Sequence, residues 1–296
     1  MQLPKLSLTE WEDTRLYLQL VAQMVGKTRL LLHPPINHWW HATLYMCGRG
    51  LTTGGIPGDG RELEITIDLI SHRIVLCLSG ETREVPLGGS ISEVYSAYLR
   101  TLEELGLQVQ LDGKPYKCKS VIPFAEDHQH SQYDPAAARR AFDILSVAEG
   151  VLKEFRQEFM GKCSPVQVFW HSFDIACTRF SGRRGQAMPG ADAVTQEAYS
   201  HEVISAGFWF GDDQTPEAAF YCYTAPAPLG LSDTPLQPES AEWKVLNGAP
   251  MALLTYEALR TAVDPRKAAL DFLRSSYEAG ADRAAWPRAE LERQSM

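Results

Sequence analysis

The sequence predicts an α+β protein of two halves, each a helix, three strands and a closing helix, with antiparallel sheets packed against the helices. Three observations carry that prediction. Helix-opening signals stand at Ser7–Glu10, Ser90–Glu93 and Asp134–Pro135, each ahead of apolar residues at helical spacing. Short alternating or aromatic-rich runs, bounded by glycine and proline, lie between the helices. Placing Trp40-His41 over Trp170-His171 also brings Cys47 over Cys177 and Arg49 over Arg179, in a matching order of elements, as a duplication would. The halves divide into 1–125 and 126–296 and are expected to pack as one unit.

Ser7 and Glu10 form a capping box for a first helix with Trp11, Leu18, Val21 and Val25 on its apolar face and Gly26 as its stop. "HPPIN" cannot remain helical and leads into an extended run, "HWWHATLYM". After the turn-rich "GLTTGGIPGDG", "ELEITIDLI" alternates as a half-buried strand does, and "HRIVLCLS" is its hairpin partner. Ser90 and Glu93 open a helix carrying Val94, Tyr95, Tyr98, Leu102 and Leu105 on one face. Residues 107–133 read as one short strand and then irregular connection. Asp134 as N-cap and Pro135 as first helical residue begin a long helix through Ala141, Leu145, Leu152 and Phe155, with Gly161 closing it. The second half repeats the plan. "SPVQVFWHSFDIACTRFSGRRG" is extended, "SHEVISAGFWF" and "AAFYCYT" are strands, and "TYEALRTAV" and "DPRKAALDFLRSSYEAG" are helices.

At 296 residues, 45% hydrophobic and 22% charged, the chain is long enough to bury a sizeable core. A net charge of −9 and a pI near 5.4 carry no overall electrostatic footprint for nucleic acid or anionic membrane. No apolar run reaches the length of a membrane span, and the N-terminus lacks the basic-then-apolar pattern of a secretory signal. Six scattered cysteines without a CxxC pair point to reduced thiols in a cytoplasmic protein.

The chemistry-bearing residues gather in three runs. In "HWWH" (38–41), strand alternation sends His38 and His41 to opposite faces, so the H-x-x-H spacing cannot chelate a metal alone. Trp40 then shares a core face with His38, while Trp39, His41 and Arg49 line a mixed face suited to a cleft. "HSFDIACTRFSGRR" puts His171, Cys177 and Arg179 on one strand face and Asp174 on the other. An aspartate on a strand needs a partner, such as an arginine, or solvent. Arg179 and Arg183 suit a carboxylate or phosphate, unless they only pair with local carboxylates. His201 and Glu202 diverge on a third strand. The catalytic candidates are therefore His201, Glu202 and Asp174, and the ligand-binding candidates are Trp39, His41, Arg49, Arg179, Arg183 and His201. No HExxH, nucleophile elbow, P-loop, GxGxxG or cysteine–histidine signature occurs, so neither a metal nor a cofactor is expected. "EDHQH" (126–130) offers Asp127 and His130 to a cation but reads more simply as a polar loop capping the next helix.

Three long runs, "GKTRLLLHPPINHWWHATLYMCGRGLTTGGIP", "GKCSPVQVFWHSFDIACTRFSGRR" and "EAYSHEVISAGFWFGD", resemble a bacterial family known as a domain of unknown function, number five-nine-nine-six. The resemblance runs from about Leu3 to the C-terminal "YEAGADRAAWPRAELER". It matches at Asn37 through His41, at Arg49, His72, Asp127, His130, Tyr133 and Asp134, and at Phe173-Asp174, Thr178 through Arg183 and Ser200-His201-Glu202. It departs at His171, where the family has glycine, and at Phe210, where it has proline. The first departure weakens both His171 as a catalytic residue and the Trp-His part of the duplication. The resemblance implies a cytoplasmic bacterial protein and transfers no chemistry.

Two functions from different classes follow. One is a site for a small anionic, partly apolar molecule in an aromatic-walled cleft between the halves, where His41, Arg179 and His201 converge and acid–base or hydrolytic chemistry is open to His201 with Glu202 or Asp174. Alanine at Arg179 should then abolish ligand-induced thermal stabilisation. The other is a non-catalytic regulatory or scaffolding module that binds a protein, in which those three residues sit apart.

Overall fold

A computed structural model describes residues 3–212, 215–246 and 248–293. Helix α1 (Leu8–Leu32) runs through the centre, with Tyr17, Leu20, Val21, Ala22, Gln23, Met24 and Val25 all sealed from solvent. A helix buried on all sides has layers against every face. It continues past Gly26, the expected stop; the glycine instead makes room for the Trp170 ring, from which a Cβ there would lie 2.2 Å. The helix ends at His33, whose extended backbone (φ −79°, ψ 136°) is the conformation a following proline imposes.

The first sheet comprises β1 (Tyr45–Cys47), β2 (Gly50–Thr52), β3 (Ile56–Pro57), β4 (Glu62–Asp68), β5 (Arg73–Leu78) and β6 (Glu81–Pro86). Its order is β1-β2-β4-β5-β6 with β3 also on β4, all antiparallel. Helix α2 (Ile91–Glu104) follows, opened as expected by Ser90 and Glu93, each accepting from the other's amide. Helix α3 (Pro135–Gln157) begins on the Asp134 cap, which accepts from the Ala136 amide at 2.8 Å. The second sheet comprises β7 (Gln167–Phe169), β8 (Asp174–Arg184), β9 (His201–Trp209), β10 (Ala219–Ala225), β11 (Glu242–Leu246) and β12 (Ala249–Thr255), in the order β11-β12-β10-β9-β8-β7. Short helices α4 (Ala193–Ala198) and α5 (Tyr256–Thr261), the long α6 (Pro265–Arg283) and α7 (Arg288–Leu291) complete it. The fold is thus α+β, with two antiparallel sheets of six strands among the described residues.

The strand expected at "HWWHATLYM" starts only at Tyr45. Asn37–Trp39 is instead a 3₁₀ turn in which His38 (φ 56°) and Trp39 (φ 59°) adopt the left-handed conformation. Arg29 of α1 donates to the Trp40 and Thr43 carbonyls, claiming acceptors that a sheet ladder would use. "WHSF" behaves likewise: β7 ends at Phe169, Phe173 is left-handed (φ 55°), and His171 sits in the turn before β8. The alternation assigned to 38–44 and to His171 therefore does not apply, whereas from Asp174 onward it does, with Cys177 and Arg179 on the face opposite Asp174. The duplication lacks support too, since Arg49 lies in the β1–β2 turn while Arg179 lies in the middle of β8. The sheets do meet edge to edge. Leu44 and Val168 exchange backbone hydrogen bonds of 2.9 and 2.7 Å, joining β1 to β7.

Arg49 closes a turn of the first sheet. Its Nε donates to Asp68 at 2.5 Å, and Asp68 also accepts from the Ile70 and Ser71 amides at 2.8 Å, closing the β4–β5 turn. Burial pushes the Asp68 carboxyl up, but the hydrogen bonds from Ser71, Arg49 and Ile70 outweigh it and hold the group at about 2. A depressed carboxylate contributes its stability fully above the ordinary aspartate value and loses it as pH falls through the folded value. Asp68→Asn should therefore lower the melting temperature at neutral pH, with the gap from wild type closing as pH falls from about 4 to about 2. Melts recorded across that range check this, and a gap independent of pH would refute it.

Candidate functional site: a cleft between helix α1 and the second sheet

Pairing register decides which side chains share the outer face of the second sheet. Ala176 and Tyr221 both pair with Gly207, and Leu253 pairs with Tyr221. Alternation then places Asp174, Trp209, Tyr223 and Met251 on that same face, while Cys177, Ile204, Phe208 and Cys222 point to the core against the helices. Gly207 has a definite role. A Cβ there would lie 2.5 Å from the Tyr221 ring, so the glycine lets Tyr221 cross β9 toward β8. Its hydroxyl donates to Asp174 Oδ2 at 2.5 Å, and Ser172 donates to Oδ1. Trp209 packs on Tyr221 at 5.1 Å between centroids, and Tyr223 meets the Tyr199 hydroxyl at 3.0 Å. Burial first, and then the Asp174 charge, push the Tyr221 hydroxyl well above the ordinary tyrosine range. Tyr221 thus remains a neutral donor to Asp174 across physiological pH.

The opposite wall comes from α1 and the irregular segment beyond α2. Gln19, Gln23 and Lys27 recur every four residues along one side of α1, yet all three are buried. Buried polar groups require partners, and these take backbone. Gln19 donates to the His171 carbonyl at 2.5 Å, Gln23 exchanges bonds with Tyr116 (3.0 and 2.7 Å), and Lys27 donates to the Asp112 carbonyl at 2.9 Å. Gln23 and Lys27 therefore moor residues 112–116 to α1, and Gln19 ties α1 to the turn before β8. Between the walls lies a cleft of about 590 Å³. Trp209, Tyr221, Tyr223, Leu246 and Met251 supply its apolar surface, Arg15, Lys117 and Lys119 positive charge, and Asp212 and the buried Asp174 two carboxylates. The Asp174–Tyr221 hydrogen bond is a buried polar pair in its floor.

Of the residues singled out from sequence, Asp174 lines this cleft, and its partners are Tyr221 and Ser172 rather than an arginine. The expected convergence of His41, Arg179 and His201 does not occur. His41 stacks on Trp39 at 5.2 Å and accepts from the Ile36 amide at 3.0 Å, and burial lowers its basicity. Arg179 points to the helix side of its sheet and is 1% exposed. His201 sits edge-on to His38 at 5.7 Å and bonds Ser200 at 3.0 Å; burial, then Lys162 and Arg184, lower its basicity. Glu202 is occupied by Arg183 and by the Ser181 hydroxyl, each at 2.9 Å, and Arg183 also donates to the Ala284 carbonyl at 2.6 Å. Those two residues tie strands together. Asp127 is buried and accepts from the His130 ring at 2.7 Å. Among the described residues no group of three or more His, Cys, Asp or Glu is arranged to hold a metal ion.

Gln19, Lys117, Trp209, Tyr221, Tyr223 and Met251 also line the cleft and do not stand out in the sequence as site residues. The four-residue polar stripe of α1 and the alternation in "FYCYT" were the signals available for them.

Fold and cleft define an α+β protein whose two antiparallel sheets join at one edge, with an open cleft between helix α1 and the outer face of the second sheet. The chain belongs to a family of unknown function (DUF5996), whose profile matches residues 3–293. No curated protein and no solved structure matches it. No helix among the described residues is long and apolar enough to cross a membrane.

Proposed function

We propose that the protein binds a small molecule with an anionic group and a flat apolar body in the cleft between its halves, in the bacterial cytoplasm. One observation carries the reading: a single space of about 590 Å³ combines the Trp209–Tyr221 aromatic floor with cationic Arg15 and Lys117 and the buried Asp174–Tyr221 hydrogen bond. The aromatics would take the apolar body, Lys117 the anion, and Asp174 a hydroxyl or amine donor of the ligand. If the ligand is also transformed, Asp174 is the acid–base group, with Tyr221 holding it in place. The six free cysteines suit a reducing compartment.

The test is a thermal-shift screen of aromatic carboxylates and aryl phosphates. At least one should raise the melting temperature, and Trp209→Ala and Lys117→Ala should each weaken its binding about tenfold. No hit, or a hit indifferent to both substitutions, counts against the proposal. The separate settings of His41, Arg179 and His201 favour the second reading, a non-catalytic module recruiting a protein. A wholly negative screen is the result that reading expects.

A further inference from the structure

Cys163 lies across from Arg179 in an isolated antiparallel bridge, and Cys177 lies two residues before Arg179 on the same strand. Directly paired residues share a sheet face, and so do residues two apart, so the two cysteine side chains are diagonal neighbours. Their sulfurs are 3.4 Å apart, closer than two unbonded sulfurs ordinarily rest. From this geometry we propose that Cys163 and Cys177 form a peroxide-responsive dithiol, closing to a disulfide when the protein meets a hydroperoxide.

The surroundings divide the labour. Cys177 is fully buried, whereas Cys163 is partly exposed. The Cys177 sulfur shares a hydrogen bond with Cys163 that favours the Cys163 thiolate, and the nearby Arg156 and Arg179 guanidiniums add positive charge. Together these bring the Cys163 thiol below its ordinary range against the opposing effect of burial. The same contact, and burial, push Cys177 well above its own. Cys163 is therefore the attacking thiolate. Its sulfur displaces hydroxide from hydrogen peroxide and becomes a sulfenic acid. Cys177 sulfur then attacks that sulfur, expelling hydroxide, which leaves as water with the Cys177 thiol proton. Two thiols are oxidised by two electrons, and one peroxide is reduced to two waters. A transient, sensing disulfide is the kind a reducing cytoplasm permits. The bond would staple the segment that carries β7 and the turn leading to Asp174, and so bear on the floor of the cleft.

The test treats the full-length protein with stoichiometric hydrogen peroxide, alkylates the remaining thiols and maps the peptides by mass. Expected is a peptide pair linking Cys163 to Cys177, reversed by dithiothreitol, while Cys47, Cys77 and Cys118 stay alkylated. The melting temperature should rise by about 5 °C on oxidation, and Cys177→Ser should not show the rise. Because the mapping is done on wild-type protein, it does not depend on a variant folding. Cys163 ending as a sulfinic or sulfonic acid, both cysteines remaining open to alkylation, or a link formed only to another cysteine would each overturn the proposal.

Discussion

Gly26→Val should destabilise the protein by more than about 3 kcal/mol, and Gly26→Ala by about 2 kcal/mol, in urea unfolding. The alanine result is the sharper, because two effects oppose. In a helix interior alanine is favoured over glycine by about 1 kcal/mol. Here, however, a Cβ would sit 2.2, 2.5 and 2.6 Å from three atoms of the Trp170 indole. That ring is 5% exposed and packed against Tyr116 and His171, so it has nowhere to swing. Accommodating one methyl would mean moving the β7–β8 turn, and with it the Gln19–His171 contact that anchors one wall of the cleft. Overpacking should outweigh propensity. If Gly26→Ala proves more stable than wild type, the close approach of α1 to that turn is wrong.

Gly26 also shows where sequence reasoning fails. Locally encoded features were legible. The capping pairs Ser7–Glu10 and Ser90–Glu93 and the Asp134–Pro135 cap act within three or four residues, and all open helices. The β4–β5 hairpin was legible too, because Leu63, Ile65 and Ile67 alternate against a buried core. What was lost depends on partners far along the chain. Gly26 looked like a stop because Trp170 is invisible locally. "HWWH" looked like a strand because nothing near it discloses that Arg29 takes its carbonyls. Strand β6 was missed since its first four residues are exposed and charged or polar, as befits a sheet edge, and so carry no alternation. In the site, Asp174 stood out as an aspartate on a strand, but its partner Tyr221 is 47 residues away. The polar stripe of α1 would ordinarily be a solvated face, and it is buried only because residues 112–119 fold over it.

Arg179→Ala should cost about 3–5 kcal/mol, whereas Arg179→Met should cost less than about 1.5 kcal/mol. The guanidinium lies 3.4 Å from the Phe155 ring centre, 4.3 Å from Tyr277 and 5.1 Å from Phe159, so one flat cation joins β8 to α3 and α6. It also donates to the Phe155 carbonyl in the last turn of α3, where the helix dipole favours positive charge. Alanine would empty that space and lose the contacts of three rings. Methionine restores most of the volume with a polarizable sulfur suited to aromatic neighbours. Removing the charge strands no carboxylate, because Glu158, 3.9 Å from Arg179, retains Arg274 at 2.5 Å. The contrast between the variants thus separates filling from charge. If methionine costs as much as alanine, attraction between cation and rings holds the three elements together. If alanine leaves stability unchanged but abolishes binding of a compound found by the thermal-shift screen, Arg179 regains the ligand role its sequence suggested, and the cleft at Asp174 loses its claim to be the site.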